Sequence, residues 1–203
     1  MIANTSQPLK AIPRTGKIEP LGQKGGGVFI FAKDNIESSE QKHLKTNCEI
    51  LWVKIDLACS KSVYMASYYR QHEDDTLSAS ESRKSVDMTS KLKGNIWILG
   101  DFNYPKLCWD SDLKPSIKPG CGHTQLYEDF IDLLDDFSLT KMINVNTRGD
   151  STLDLFLTRN HTLVSSVQVI QGISDHGMVV YEINCKASIN NQPPRQVFLY
   201  RNA

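Results

Sequence analysis

Apolar and polar positions divide the chain into short runs of two kinds. "CEILWVKIDL" alternates, with Leu51, Val53, Ile55 and Leu57 on one parity and Trp52, Lys54 and Asp56 on the other, the pattern of a strand with one core face. "KSVYMASYYR" follows after "DLACS", a spacing that predicts an antiparallel hairpin. "KGGGVFIFAKD" reads as a buried strand over Val28 to Ala32, entered through a glycine-rich turn. "GNIWILGDFN" drives Ile96, Trp97, Ile98 and Leu99 into a core and, across one glycine, presents Asp101 and Asn103.

Helical periodicity is clearest in "HTQLYEDFIDLLDDFSL". Leu126, Phe130, Leu133, Leu134 and Phe137 recur at three- and four-residue steps, with Glu128, Asp129, Asp132, Asp135 and Asp136 opposite as a solvated face and Thr124 as a cap. From Asp74 to Lys93 a polar stretch with sparse Leu77, Val86, Met88 and Leu92 predicts a surface helix. "YPKLCWDSDLKPSIKPGCG" is a proline- and glycine-rich loop, long enough to suggest function. "KMINV", "STLDLFLT", "VSSVQVI" and "GMVVYEINC" return to strands.

Residues 1–24 are polar, contain Pro8, Pro13 and Pro20 and lack periodicity, which predicts a disordered or loosely attached tail. Residues 25–185 form the expected domain, and 186–203, with Pro193, Pro194 and Arg195, an exit linker. Strands, helix, strand, loop, helix and strands in that order, without an internal repeat, predict an α/β (α+β) fold. Two packed, mostly antiparallel sheets with helices outside them fit better than a regular parallel array.

Composition narrows the classes. Lys plus Arg equals Asp plus Glu, 23 each, which excludes a global basic field and leaves a local basic groove open. The five cysteines include no CxxC pair and predict reduced thiols in an intracellular compartment. The first residues lack the apolar core of a signal peptide, so the protein is expected not to be secreted, and no run approaches the roughly 18 apolar residues of a membrane span. Cys108, Cys121 and His123 match no usual zinc spacing. The triplets at Asn4 and Asn160 and the "RGD" at Arg148 to Asp150 are short patterns expected by chance.

Three stretches place polar chemistry beside a buried run. Asp101 and Asn103 close "ILGDFN", Asp154 sits inside "STLDLFLT", and Asp175 and His176 open "ISDHGMVV". Singly each is an ordinary turn or outward strand residue. Brought to one cleft, three carboxylates, an amide and an imidazole suit hydrolysis of a phosphodiester. Carboxylates hold Mg²⁺ or Mn²⁺, His or Asn stabilises phosphoryl charge, one carboxylate activates water, and Asp154 is available to orient the histidine.

"YYR", "WILGDFNYP", "STLDLFLT" and "ISDHGMVVYEI", in this order, resemble the endonuclease/exonuclease/phosphatase superfamily, and most closely the endonuclease domains of LINE-type, non-LTR retrotransposons. The likeness covers roughly Gly25 to Asn184. It implies a four-layered α/β sandwich and metal-dependent cleavage of DNA that leaves a 3′ hydroxyl for a reverse transcriptase domain, hence a nuclear location. By position, Asp101 matches the water-activating aspartate, Asn103 the phosphate-contacting amide, Asp154 the carboxylate that orients the histidine, His176 the phosphate-binding histidine and Asp175 a metal-side aspartate. Tyr69 matches the phosphate-facing tyrosine, with Tyr68 leaving that register open by one.

The front departs from the pattern. The family's opening strand with its asparagine, and the second strand with its metal-binding glutamate, have no counterpart in residues 1–24, where Glu19 stands between Ile18 and Pro20. The expectation is a truncated copy whose metal site and chemistry are impaired. A non-catalytic remnant that only binds, and a small-molecule phosphatase of the same superfamily, are the alternatives.

Overall fold

The computed structural model describes residues 9–11, 27–109, 115–172 and 174–189. Its strands, in chain order, begin with β1 (Leu9–Ala11), β2 (Phe31–Lys33), β3 (Ser38–Glu40), β4 (Glu49–Ile55), β5 (Val63–Tyr69) and β6 (Asn95–Asp101). They continue with β7 (Leu107–Cys108), β8 (Ser116–Ile117), β9 (Thr140–Lys141), β10 (Asp154–Thr158), β11 (Val164–Ile170) and β12 (Met178–Ile183). Among the described residues two α-helices, α1 (Thr76–Asp87) and α2 (Thr124–Asp136), precede β6 and β9.

The central sheet runs β3-β4-β5-β6-β10-β9. β4 and β5 form the antiparallel hairpin, whereas β5 and β6, joined through α1, are parallel. Alternation then sorts the side chains. Trp52, Ala66, Tyr68, Ile96, Ile98, Leu155 and Leu157 pack with Val86 of α1 and with Leu126, Tyr127, Phe130, Leu133 and Leu134 of α2. On the opposite face Val63, Trp97 and Phe156 pack against Val164, Val167, Val169, Val179 and Tyr181 of the two-stranded β11–β12 ribbon. The β1–β2 ribbon covers β4 on that same face, through Ala32 against Val53. The class is mixed α/β, with packed sheets and helices.

Several local expectations change. α2 has no side-chain cap, and Thr124 Oγ1 instead donates to the Cys121 carbonyl at 3.3 Å. The strand expected over Val28 to Ala32 is the later Phe31–Lys33, and of "KMINV" only Lys141 is strand, at the end of Thr140–Lys141. Within the long loop, β7 and β8 pair antiparallel. The expected tail contains β1, paired with β2, and the expected linker starts with Ala187 and Ile189 bridging Leu57 and Ile36. Glu19 and residues 190–203 lie outside the described residues. None of the five cysteines, all among the described residues, is joined in a disulfide. Among the described residues no helix is long and apolar enough to cross a membrane.

α1 is held by a buried relay. Asp75 caps it by accepting from the Ser78 amide at 2.8 Å, and its Ser85 accepts from Trp52 Nε1 at 2.8 Å while donating to the Leu44 carbonyl at 2.6 Å. Ser85→Ala strands an indole N–H and a carbonyl in the core and is expected to lower stability by about 1–3 kcal/mol, read by chemical denaturation monitored by circular dichroism.

Candidate active site

Strand register brings three of the expected residues side by side. Asp101, the last residue of β6, pairs with Tyr69 of β5 on one side and with Asp154, the first residue of β10, on the other. Paired residues share a face, so Tyr69, Asp101 and Asp154 project together toward the β11–β12 ribbon. Tyr68 takes the opposite face, buried and hydrogen-bonded to Ser78 at 3.0 Å, so of the two tyrosines only Tyr69 shares the face of Asp101 and Asp154. Glu49 of β4, which the sequence reading did not consider, extends the row beyond Tyr69.

His176 arrives from the turn of the ribbon. Its Nδ1 lies 2.8 Å from Asp154 Oδ2. A carboxylate can only accept, so Nδ1 carries the hydrogen and Nε2 is left for a substrate. Two contacts fix the turn. The Gly177 amide donates to the Thr147 carbonyl at 2.7 Å, and the Thr147 hydroxyl accepts from the amides of Leu153 and Asp154, each at 3.0 Å. Any side chain at Gly172 would put its Cβ 2.0 Å from the His176 carbonyl oxygen, so that close approach requires glycine.

Asp101 is the perturbed group. Burial first, and the neighbouring Asp154 carboxylate second, push its pKa up to about 6, against the opposing influence of His176 and of the Asn103 amide. Just before it, Gly100 has φ 139°, and an added Cβ would stand 1.9 Å from the Tyr68 carbonyl oxygen. The glycine between the apolar run and the polar burst is therefore demanded by close strand contact.

Asn103 is turned away from the role expected of it. With φ 51°, in the left-handed region that asparagine tolerates, it donates through Nδ2 to the carbonyls of Gln71 (3.0 Å) and Arg70 (3.4 Å). Its backbone amide donates to Asp101 Oδ1 at 3.0 Å. A phosphate contact from this amide would have to displace one of those carbonyls. Asp175 is also engaged elsewhere, 63% exposed and bonded to Arg148 Nη2 at 2.7 Å.

The residue that sequence reasoning missed is Arg70. Its guanidinium is fully buried and donates to the carbonyls of Phe102 (2.8 Å), Asn103 (2.8 Å) and Glu73 (3.0 Å), with Cζ 3.7 Å from the centre of the Tyr104 ring. It clamps the loop after β6 to the loop after β5, and thereby fixes Asp101 and Asn103. The sequence reading quotes it only as the last residue of "YYR" and gives it no role.

A divalent ion was expected here, and the described residues do not by themselves gather the donors for one. Among the described residues no group of three or more His, Cys, Asp or Glu side chains is gathered to hold a metal. Asp154 is spent on His176 and Asp175 on Arg148, which leaves Asp101 with open lone pairs.

The sequence model of the endonuclease-reverse transcriptase family matches residues 63–180, more than half of the chain. The chain belongs to this family. It is thereby a member of the endonuclease/exonuclease/phosphatase superfamily, and the matched span contains Tyr69, Asp101, Asn103, Asp154, Asp175 and His176. No curated protein matches. Among solved structures, an endonuclease/exonuclease/phosphatase family protein from Leptotrichia buccalis is 13% identical, with a TM-score of 0.47, over 73% of this chain and 60% of that one. The chain thus spans less than two thirds of that protein's length. A 3′ phosphatase from Neisseria, bound to a product DNA hairpin, is 14% identical, with a TM-score of 0.48, over 74% of this chain and 71% of that one. The inositol polyphosphate 5-phosphatase domain of spsynaptojanin, in complex with inositol (1,4)-bisphosphate and a calcium ion, is 13% identical, with a TM-score of 0.42, over 91% and 63%.

Proposed function

We propose that this family member is the endonuclease domain of a LINE-type retrotransposon, hydrolysing a DNA phosphodiester for a reverse transcriptase in the nucleus, with its metal step impaired. The observation that carries the reading is the Asp154–His176 bond standing beside the perturbed Asp101 at one end of the sheet. Asp101 takes the proton of the attacking water as oxygen adds to phosphorus. The P–O3′ bond breaks, and the 3′ oxygen picks up a proton from solvent. Nε2 of His176, held by Asp154, faces the phosphoryl oxygens whose charge grows, and the Tyr69 hydroxyl serves the same charge from the neighbouring strand. Bound Mg²⁺ or Mn²⁺ would add charge stabilisation. That contribution would require Asp175 to leave Arg148, and it is impaired while the two stay paired.

A supercoiled-plasmid nicking assay with and without Mg²⁺ tests the reading, with EDTA as the metal-free arm. Nicking above the background of the inactivated variants described below supports it; none at any metal concentration sinks it. The engagement of Asp175 by Arg148 favours a second reading, a binding-only member of the fold, which DNA binding without nicking would support. Activity on phosphomonoesters with none on DNA would favour the phosphatase alternative.

The pH profile follows from Asp101. A base with its pKa at about 6 is protonated below that value, so nicking should fall tenfold per pH unit below about 6 and level off above it. The linkage to stability has the opposite sense. With the folded-state pKa raised, Asp101 favours the folded state below its unfolded pKa near 4, and that contribution disappears as pH rises through 6. Activity and this part of stability therefore move in opposite directions between pH 4 and 6, which rate and denaturation measurements on one sample would show.

A further inference from the structure

The chemistry above uses one face of the central sheet, from which Tyr69, Asp101 and Asp154 project. The other face is covered by the two helices, and between them opens a cleft of about 780 Å³. Leu126, Phe130 and Leu133 of α2, at steps of four and three, form its floor together with Tyr104. Leu77 of α1 stands on the rim, 57% exposed. Arg83 of α1 spans the cleft to Asp136 and donates from Nη1 to the Asp129 carbonyl at 3.4 Å. A second cleft, of about 610 Å³, shares Arg83 with the first and reaches Phe137 and Met88, the latter 40% exposed. Leu77 and Met88 lie about 16 Å apart along the axis of α1, about three helical turns.

The two walls differ in charge. α2 carries Glu128, Asp129, Asp132, Asp135 and Asp136 and contains no Lys, Arg or His, and all five carboxylates are exposed. Asp132, Asp135 and Asp136 fall near its C-terminus, where the negative end of the helix dipole favours cations. Arg83 answers Asp136, while Asp129 and Asp132 line the first cleft. The wall of α1 offers Thr76, Ser80 and Ser82 there. An apolar floor with an acidic flank is complementary to an apolar stripe with a basic flank. Both walls are helices with their backbone groups bonded internally, so an added strand would find no ladder, whereas a helix can pack its ridges against both.

We propose that the cleft between α1 and α2 docks a basic amphipathic helix of a partner protein. Its apolar stripe lies along Leu77 and the floor of Leu126, Phe130 and Leu133, and its lysines and arginines face Asp129 and Asp132. Because Asp101 and Asp154 project from the other face of the sheet, the docked helix leaves the candidate active site open. The cleft is a recruitment surface, and its occupancy is independent of the nuclease reading.

Fluorescence anisotropy on the full chain tests this, with a fluorescein-labelled helical peptide of about 15 residues that has leucines at three- and four-residue steps and lysines elsewhere as the probe. The wild type should bind it saturably, and added salt should weaken the binding. Leu77→Ser, and Asp129→Asn with Asp132→Asn, should each weaken affinity about tenfold with the circular dichroism spectrum unchanged, since all three side chains are exposed. Asp34→Asn with Glu182→Gln removes two exposed carboxylates far from the helices in chain order and should leave affinity unchanged. Leu77→Ser should also leave plasmid nicking unchanged. No saturable binding, equal weakening by the Asp34 and Glu182 pair, or equal affinity for the same peptide with glutamates in place of its lysines would each overturn the proposal. So would dimerisation of the wild type that Leu77→Ser disperses, which would seat a second copy in the cleft, or tighter peptide binding in Phe198→Ser, which would seat the chain's own end there. Peptide binding in protein that never nicks DNA supports the cleft while the nuclease reading falls; nicking in protein that never binds the peptide does the reverse.

Discussion

Alanine at Asp101 or at His176 is expected to lower plasmid nicking by about 100-fold or more, the range for loss of a general base or of a positioned acid. Both variants should fold. Asp101 ends a strand, and its carboxylate is disfavoured by burial and by Asp154, so Asp101→Asn should leave the protein at least as stable near neutral pH. His176 lies in a turn whose backbone is anchored independently through Gly177 and Thr147. Asp154→Asn supplies the graded case. The amide removes the carboxylate that sets the imidazole tautomer, so activity should fall although the ring remains. Full activity in Asp101→Ala and His176→Ala, in protein with a native circular dichroism spectrum, would remove catalysis from this end of the sheet.

Arg70→Met is expected to be the most damaging single change to the fold near the site. Among the described residues the guanidinium has no carboxylate partner; its charge is spread over three carbonyls and an aromatic face in full burial. Removing it leaves the carbonyls of Phe102, Asn103 and Glu73 unpaired in a dry interior, at about 3–5 kcal/mol in all by the measure of broken buried charge contacts. For a chain of this size that corresponds to roughly a 10 °C fall in Tm. Arg70→Lys should recover little, because an ammonium can neither fork between Phe102 and Asn103 nor stack on Tyr104. Thermal unfolding of both variants checks this; a Tm within about 2 °C of the wild type would show that the clamp is dispensable.

Legibility in the sequence followed the strength of alternation. β4, β5, β6, β10 and α2 each carry enough apolar residues on one parity or stripe to announce a buried face, and the polar residues just beyond β6 and before β12 are where side chains meet at a sheet's end. β9 was overextended because only Thr140 and Lys141 find a ladder partner, on β10. The β7–β8 pairing inside the long loop involves two residues per strand, too few to leave a periodic trace. Arg70 was illegible for a different reason: its partners are backbone carbonyls, which every residue supplies, so no complementary side chain marks the interaction. The turning of Asn103 toward residues 70–71 comes from the same clamp, and the engagement of Asp175 by Arg148 depends on a loop–loop approach that spacing does not encode.

The ribbon that delivers His176 shares no hydrogen-bond ladder with the six-stranded sheet that delivers Asp101. The two halves are joined by the packing of residues such as Phe156 and Tyr181, whose ring centres are 4.5 Å apart, and by a few bonds including those of Thr147 and Asp154. Such a seam loosens by local opening at a lower free energy than the sheet needs to melt. The molecule would then carry its chemistry across a hinge, and warming would disarm it while most of it was still folded.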